Sequence, residues 1–209
     1  MKRAGFVLAG GRSTRMGRDK ALLPAVRTNN GGDTSREGGR TLLEQIANCV
    51  RDAAGSVVII GPPERYAFTG FPVIADIVEA KGPLGGICTA LRHTNADWNL
   101  IVACDMPRID SELLKRLLDA AEASGKDCLV PSTRIGASAG LEPLCAVYHA
   151  RVLPAAEDAI HRGRLAMHDF VRSIDAREWL VEDLASFQNV NTPEQYAPAQ
   201  YTSPQGRTR

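Results

Sequence analysis

Several short segments of this chain concentrate residue types suited to gripping a polyphosphate and a hard cation. The first is Leu8-Ala9-Gly10-Gly11-Arg12-Ser13-Thr14-Arg15-Met16-Gly17-Arg18-Asp19-Lys20, where an apolar run enters a glycine turn and then a basic stretch. Glycine has no Cβ, so main-chain N–H groups at Gly10 and Gly11 can approach phosphate oxygens closely. Arg15 can then bind by bidentate hydrogen bonds and Lys20 as a point charge. The same residues also read as a glycine turn followed by a solvated basic loop. No lysine follows the glycines directly with Ser or Thr after it, which argues against a Walker A loop. The adjacent pair Gly10-Gly11, with the next glycine at Gly17, likewise argues against a G-x-G-x-x-G dinucleotide motif.

Asp105 follows the apolar run Asn99-Leu100-Ile101-Val102-Ala103 directly. Ligands of open α/β sheets bind beyond the carboxyl ends of the strands, so a carboxylate there is placed to hold Mg²⁺. Asp105 can alternatively cap the next helix, although Asp110 stands nearer to its start. Gly82-Pro83-Leu84-Gly85-Gly86, preceded by Asp76, reads as a turn entering a helix whose first N–H groups can face a base or a phosphate. Its plainer reading is ordinary helix-start chemistry. Asn189-Val190-Asn191-Thr192-Pro193-Glu194 presents two alternating amides that can donate and accept together, and it also reads as a simple helix entry.

Short apolar runs alternate with longer amphipathic stretches, the pattern of an α/β domain. Gly5 to Ala9, Ser56 to Ile60 and Asn99 to Ala103 read as buried strands, with further strands at Pro72 to Ala75, Asp127 to Pro131, Leu144 to Tyr148 and Trp179 to Val181. Helices are expected over Thr41 to Ala54, with a Thr41/Glu44 capping box, and over Leu84 to His93. Others follow the Asp110 cap and cover Val152 to His161 and Ala166 to Val171. Arg27 to Arg40 has no apolar residue and is expected to be a mobile loop, and 198–209 a polar, disordered tail after a domain spanning 1–197.

At 209 residues, 44% hydrophobic and 23% charged, the chain has the composition of one medium globular domain. A net charge of +1 argues against a nucleic-acid partner held by a basic surface. No apolar run nears the roughly 18 residues of a membrane span. The apolar stretch Ala4 to Ala9 is too short for a signal peptide, so a cytoplasmic location is expected. Cys49, Cys88, Cys104, Cys128 and Cys145 show no C-x-x-C spacing and read as reduced thiols rather than metal ligands.

In order, these segments resemble the molybdenum cofactor guanylyltransferase family, within the wider nucleotidyltransferases of Rossmann-like fold. The markers are L-A-G-G-x-S-x-R-M-G-x-D-K, G-P-L-x-G, C-D-x-P and N-V-N-T-P-E, spread from Leu8 to Glu194. The resemblance implies a single-domain, three-layer α/β fold with a mostly parallel mixed sheet. It implies GTP contacts from Leu8, Ala9, Gly10, Lys20 and Asp76, and Asp105 on both GTP and Mg²⁺, while Gly11, Gly82 and Pro83 are expected as nucleotide contacts on the residue readings above. Arg15 maps to the phosphates, Asn189 and Asn191 to the pterin, and Glu142-Pro143-Leu144 to a substrate-side strand. The implied reaction moves GMP onto the phosphate of molybdenum-molybdopterin, an anionic nucleophile that needs no general base. Molybdenum-insertion proteins and apo-molybdoenzymes are the protein partners such a product implies. Two features depart from the family pattern. Ile60-Gly61 stands where an Asn is common, and Arg27 to Arg40 replaces a shorter turn.

Rival readings are cytidylyl transfer to the same cofactor, nucleotidyl transfer to a sugar phosphate, or a non-catalytic cofactor carrier. Leu8-Ala9-Gly10-Gly11, where cytidylyl relatives more often carry Leu-Ala-Ala-Gly, favours the guanylyl branch, and a strand-end Asp105 favours an enzyme.

Overall fold

The computed structural model of the chain describes residues 1–10, 19–25, 40–78, 80–135, 138–181 and 184–187. Within them β1 (Arg3–Leu8), β2 (Val58–Ile60), β3 (Val73–Ile74), β4 (Trp98–Ala103), β5 (Cys128–Ile135), β6 (Ser138–Leu141), β7 (Cys145–His149) and β8 (Ala176–Leu180) form one sheet. The helices are α1 (Leu42–Ala54), α2 (Pro63–Tyr66), α3 (Gly82–His93), α4 (Ser111–Ser124), α5 (Leu153–His161) and α6 (Met167–Ser173).

The strand order is β3-β2-β1-β4-β7-β5-β6, with β8 alongside β5. Pairings β1–β2, β2–β3, β1–β4 and β5–β8 are parallel, whereas β7 runs against β4 and β5, and β6 against β5. Parallel central strands must be covered on both faces, and β4 is buried at every position. Alternate strand residues accordingly divide into two cores. Val7, Ile59, Leu100, Val102 and Val147 pack with α1 and α4. Phe6, Ile60, Ile101, Ala146 and Tyr148 pack with α3, α5 and α6, completing the three layers.

Local chemistry sets the helix starts. Glu44 N–H donates to Thr41 Oγ1 at 3.2 Å while Thr41 N–H donates to Glu44 Oε2 at 2.8 Å, the expected capping box. Leu113 N–H donates to Asp110 Oδ1 at 2.8 Å, so α4 is capped by Asp110 and does not call on Asp105. Four details differ from the sequence expectation. The Asp127 to Pro131 strand continues to Ile135, because Ser138–Leu141 folds back to pair with its end. The last strand begins three residues earlier than expected, at Ala176, and runs in parallel register with β5. Helix α3 begins at Gly82 rather than Leu84, with Pro83 in its first turn. Pro63 likewise opens α2, a short helix among none of the expected elements.

Neighbours of β1 differ in origin: β2 and β3 extend the sheet to one side, and β4 returns on the other. The order therefore reverses at β1, and the carboxyl ends of β1 and β4 flank the position where such sheets bind ligands.

Candidate nucleotide cleft

A cleft of about 640 Å³ opens at that position. Leu8, Ala9 and Gly10 leave β1 there, Cys104 and Asp105 leave β4, and Ile60 to Glu64 leave β2. Asp76, Gly82 and Pro83 contribute from the β3–α3 connection, and Lys20 from a 3₁₀ turn, Lys20–Leu22. Thus Leu8, Ala9, Gly10, Lys20, Asp76, Gly82, Pro83 and Asp105, scattered in sequence, line one cavity. Gly11, Arg15, Asn189 and Asn191 lie outside the described residues, as do most of 27–40 and the 198–209 segment.

Main chain packed against main chain builds much of this surface. A Cβ on Gly61 would stand 2.1 Å from the Ala9 carbonyl oxygen and 2.9 Å from Tyr66 Cε2. A Cβ on Gly85 would stand 2.6 Å from the Val78 carbonyl oxygen, and one on Gly86 3.0 Å from Leu8 Cδ2. The glycines of G-P-L-G-G thus let α3 press its start against the end of β1. The plain helix-start reading and the ligand reading of this segment are compatible, since no side chain caps α3 and its first turn borders the cleft. Ile60-Gly61 also acquires a reason: Ile60 is buried with the α3 core, and residue 61 has no room for a side chain.

Asp105 is held by its surroundings rather than by a cap. Cys104 N–H extends the β1–β4 ladder to the Leu8 carbonyl at 3.2 Å, Met106 is buried, and Gln45 Nε2 donates to the Pro107 carbonyl at 3.0 Å. Burial pushes the Asp105 carboxyl up, opposed by the Lys20 ammonium and a backbone hydrogen bond. Glu142, three residues before β7, is raised by burial first and then by the charge of Asp105. The Cys104 thiol is pushed up to about 12, by burial first and then by Asp105 and Asp19.

Asp76 has one oxygen committed to the fold. Its Oδ1 accepts Thr89 Oγ1–H at 2.6 Å and Val78 N–H at 2.9 Å, while Thr89 Oγ1 accepts Ile77 N–H at 3.1 Å. Thr89 is buried on α3, so this triangle fastens Asp76 to the helix that it precedes. Asp19 is committed more fully. Its Oδ1 accepts Ala21 N–H at 3.1 Å, and its Oδ2 accepts Tyr66 Oη–H at 2.8 Å and Arg65 Nη1–H at 3.3 Å.

Asp19, Tyr66, Thr89 and the α2 wall are absent from the sequence-derived site. Asp19 stands inside the first motif, beside Lys20, and its acidity within a basic stretch is the one signal that marked it. No group of three or more His, Cys, Asp or Glu side chains able to hold a metal occurs among the described residues. A cation in this cleft would therefore depend on one or two carboxylates plus ligand oxygens. That donor set suits Mg²⁺, which binds through few carboxylates and substrate phosphates, and Asp105 fits it. No helix among the described residues is long and apolar enough to cross a membrane.

Comparison with known proteins agrees with this arrangement. Residues 5–178 match the family described as MobA-like NTP transferase domain. A probable molybdenum cofactor guanylyltransferase from Nostoc sp. is 33% identical over 202 residues, covering 93% of this chain and 89% of the relative. Among solved structures, molybdopterin-guanine dinucleotide biosynthesis protein A from Archaeoglobus fulgidus superposes with a TM-score of 0.75 at 25% identity, covering 94% of this chain and 96% of that one. The 2-C-methyl-D-erythritol 4-phosphate cytidylyltransferase from Thermus thermophilus, at 19% identity and a TM-score of 0.71, covers 96% of this chain and 98% of its own and shares the fold.

Proposed function

The chain belongs to the MobA-like NTP transferase family, and from that premise we propose that it transfers GMP from GTP to the terminal phosphate of molybdenum-molybdopterin, with Mg²⁺ required. A nucleotidyltransferase of molybdenum cofactor biosynthesis is the coarser statement that the relatives support directly. The observation that carries the finer one is the convergence of Lys20, Asp105 and the uncapped start of α3 on a single cleft at the β1/β4 switch point.

The acceptor phosphate is already anionic at neutral pH, so the chain need not supply a general base. Its task reduces to in-line positioning and charge stabilisation at the α-phosphate. Lys20 draws the triphosphate into the cleft, and Arg15, four residues after Gly11 in sequence, adds a bidentate guanidinium. Glycine-lined main chain from Leu8 to Gly11 permits close approach, and the first turn at Gly82 and Pro83 favours negative charge. Asp76 Oδ2, the oxygen not held by Thr89 or Val78, faces the nucleoside, and Asn189 with Asn191 takes the pterin. Asp105 would hold Mg²⁺, which when bound stabilises charge on the α-phosphate and the departing pyrophosphate.

The test is pyrophosphate release with GTP, CTP, UTP or ATP, each with molybdenum-loaded molybdopterin, with and without Mg²⁺. Turnover with GTP, dependent on Mg²⁺ and yielding the guanine dinucleotide by mass spectrometry, is expected. Turnover with CTP alone would move the activity to cytidylyl transfer. No turnover with any nucleotide, in folded protein, would overturn the enzymatic reading.

A further inference from the structure

Asp19 lines the cleft, yet its carboxylate is turned onto the protein. Oδ1 caps the 3₁₀ turn that begins at Lys20 by accepting Ala21 N–H at 3.1 Å. Oδ2 accepts Tyr66 Oη–H at 2.8 Å and Arg65 Nη1–H at 3.3 Å, from α2, which is 47 residues away in sequence in the case of Tyr66. A ligand cation would have to displace these donors. A role for Asp19 in fixing its neighbour is the simpler fit.

Tyr66 is well suited to serve as the fixed point. It is fully buried, and its ring lies against Gly61, whose missing side chain leaves the room that the ring edge occupies. The hydroxyl therefore has a position set by core packing. Lys20 itself sits between two further restraints. Leu23 N–H donates to the Lys20 carbonyl at 3.1 Å, and the next residue, Ala21, is fully buried. The backbone of Lys20 is thereby clamped on the side of Asp19 and on the side of the core.

We infer that Tyr66 is a positioning residue for Lys20, acting through Asp19, so that the α2 wall and the phosphate-binding lysine are set as one unit. The inference rests on the proposed placement of nucleotide phosphates at Lys20. A bridge of this kind matters to binding only through the residue it positions, and this property separates it from general structural support.

The test is a double-mutant cycle read by GTP affinity in the presence of Mg²⁺, using isothermal titration, with melting temperature as a fold control. Wild type, Tyr66→Phe, Lys20→Met and the double variant are compared. Removing one part-buried hydrogen bond to a charged acceptor is expected to weaken GTP about tenfold when Lys20 is present. The same change is expected to have less than about a twofold effect in the Lys20→Met background, since coupled residues lose their interaction together. Unchanged affinity in Tyr66→Phe would overturn the inference and leave the proposed function standing. Equal weakening in both backgrounds would also overturn it, by making Tyr66 a general support. A wild-type protein that binds no nucleoside triphosphate would overturn the functional reading and the inference with it. If Tyr66→Phe does not fold, Asp19→Asn, which keeps the Ala21 contact, is put through the same cycle with the same expectations.

Discussion

Replacing Gly61 by Ala tests whether the cleft floor depends on main chain meeting main chain. The added Cβ would lie 2.1 Å from the Ala9 carbonyl oxygen and 2.9 Å from Tyr66 Cε2. Neither neighbour can step aside freely. Gly61 N–H donates to the Ile74 carbonyl at 2.9 Å, Ala9 N–H donates to the Ile60 carbonyl at 2.8 Å, and Tyr66 is fully buried. Overpacking of this kind costs about 2–3 kcal/mol. For a chain of 209 residues that corresponds to a fall of about 5–10 °C in melting temperature. Gly86→Ala is the matched control. Its Cβ would stand 3.0 Å from Leu8 Cδ2, the end of a flexible side chain, and inside α3 alanine regains about 1 kcal/mol of helix propensity. Its melting temperature is expected to remain within about 3 °C of wild type. Thermal unfolding by circular dichroism distinguishes the two. Equal melting temperatures for Gly61→Ala and wild type would refute the claim that Gly61 is required by contact with Ala9.

Asp105→Asn is expected to lower pyrophosphate release at least about hundredfold while slightly stabilising the fold, because burial pushes this carboxyl up. A raised carboxyl costs stability as pH rises through its folded-state value, so the gain should be absent in acid and develop toward neutrality; near-normal turnover would remove Asp105 from the chemistry. The Cys104 thiol, partly exposed at the cleft and pushed up to about 12, should resist iodoacetamide at about pH 8, and rapid labelling by peptide mass spectrometry would contradict that rise. Arg3 reaches Asp119 and Glu122, each at 2.7 Å, and holds the Glu122 carboxyl below its ordinary range. Arg3→Ala should cost about 1 kcal/mol near neutral pH, a difference that fades as pH falls from Glu122's ordinary value through its lowered one. Urea midpoints separated by the same amount at every pH would reject that account.

Local rules in the sequence carried most of the scaffold. Thr41 with Glu44, Asp110 with the α4 leucines, and the unbroken apolar run of β4 each act within a few residues, and each appears in the structure as expected. Ser138–Leu141 was not legible, because Ser-Ala-Gly-Leu has no alternation of its own and becomes a strand through pairing with β5. The same division applies to the cleft. Motif spacing pointed to Lys20, Asp76 and Asp105, which line one cavity. It gave no hint of Thr89 on Asp76 or of Tyr66 on Asp19, since those contacts depend on where α3 and α2 come to rest.

Ile60 shows why the departure from the family pattern need not empty the site. Its side chain is only 3% exposed and belongs to the core beneath α3, although the residue borders the cleft. A polar side chain at position 60 would therefore enter apolar packing, with a desolvation penalty unless it found a partner. Gly61 cannot supply a polar group either, because any side chain there meets the Ala9 carbonyl. If this wall meets the base, as proposed, hydrogen bonding there would fall to main-chain groups and to carboxylates such as Asp76, whose Oδ1 is already occupied by Thr89 and Val78. Base selection would then depend on where the Ile60–Glu64 backbone sits relative to Asp76. The close packing of Gly61 on Ala9, and of Gly85 on Val78, fixes that relation.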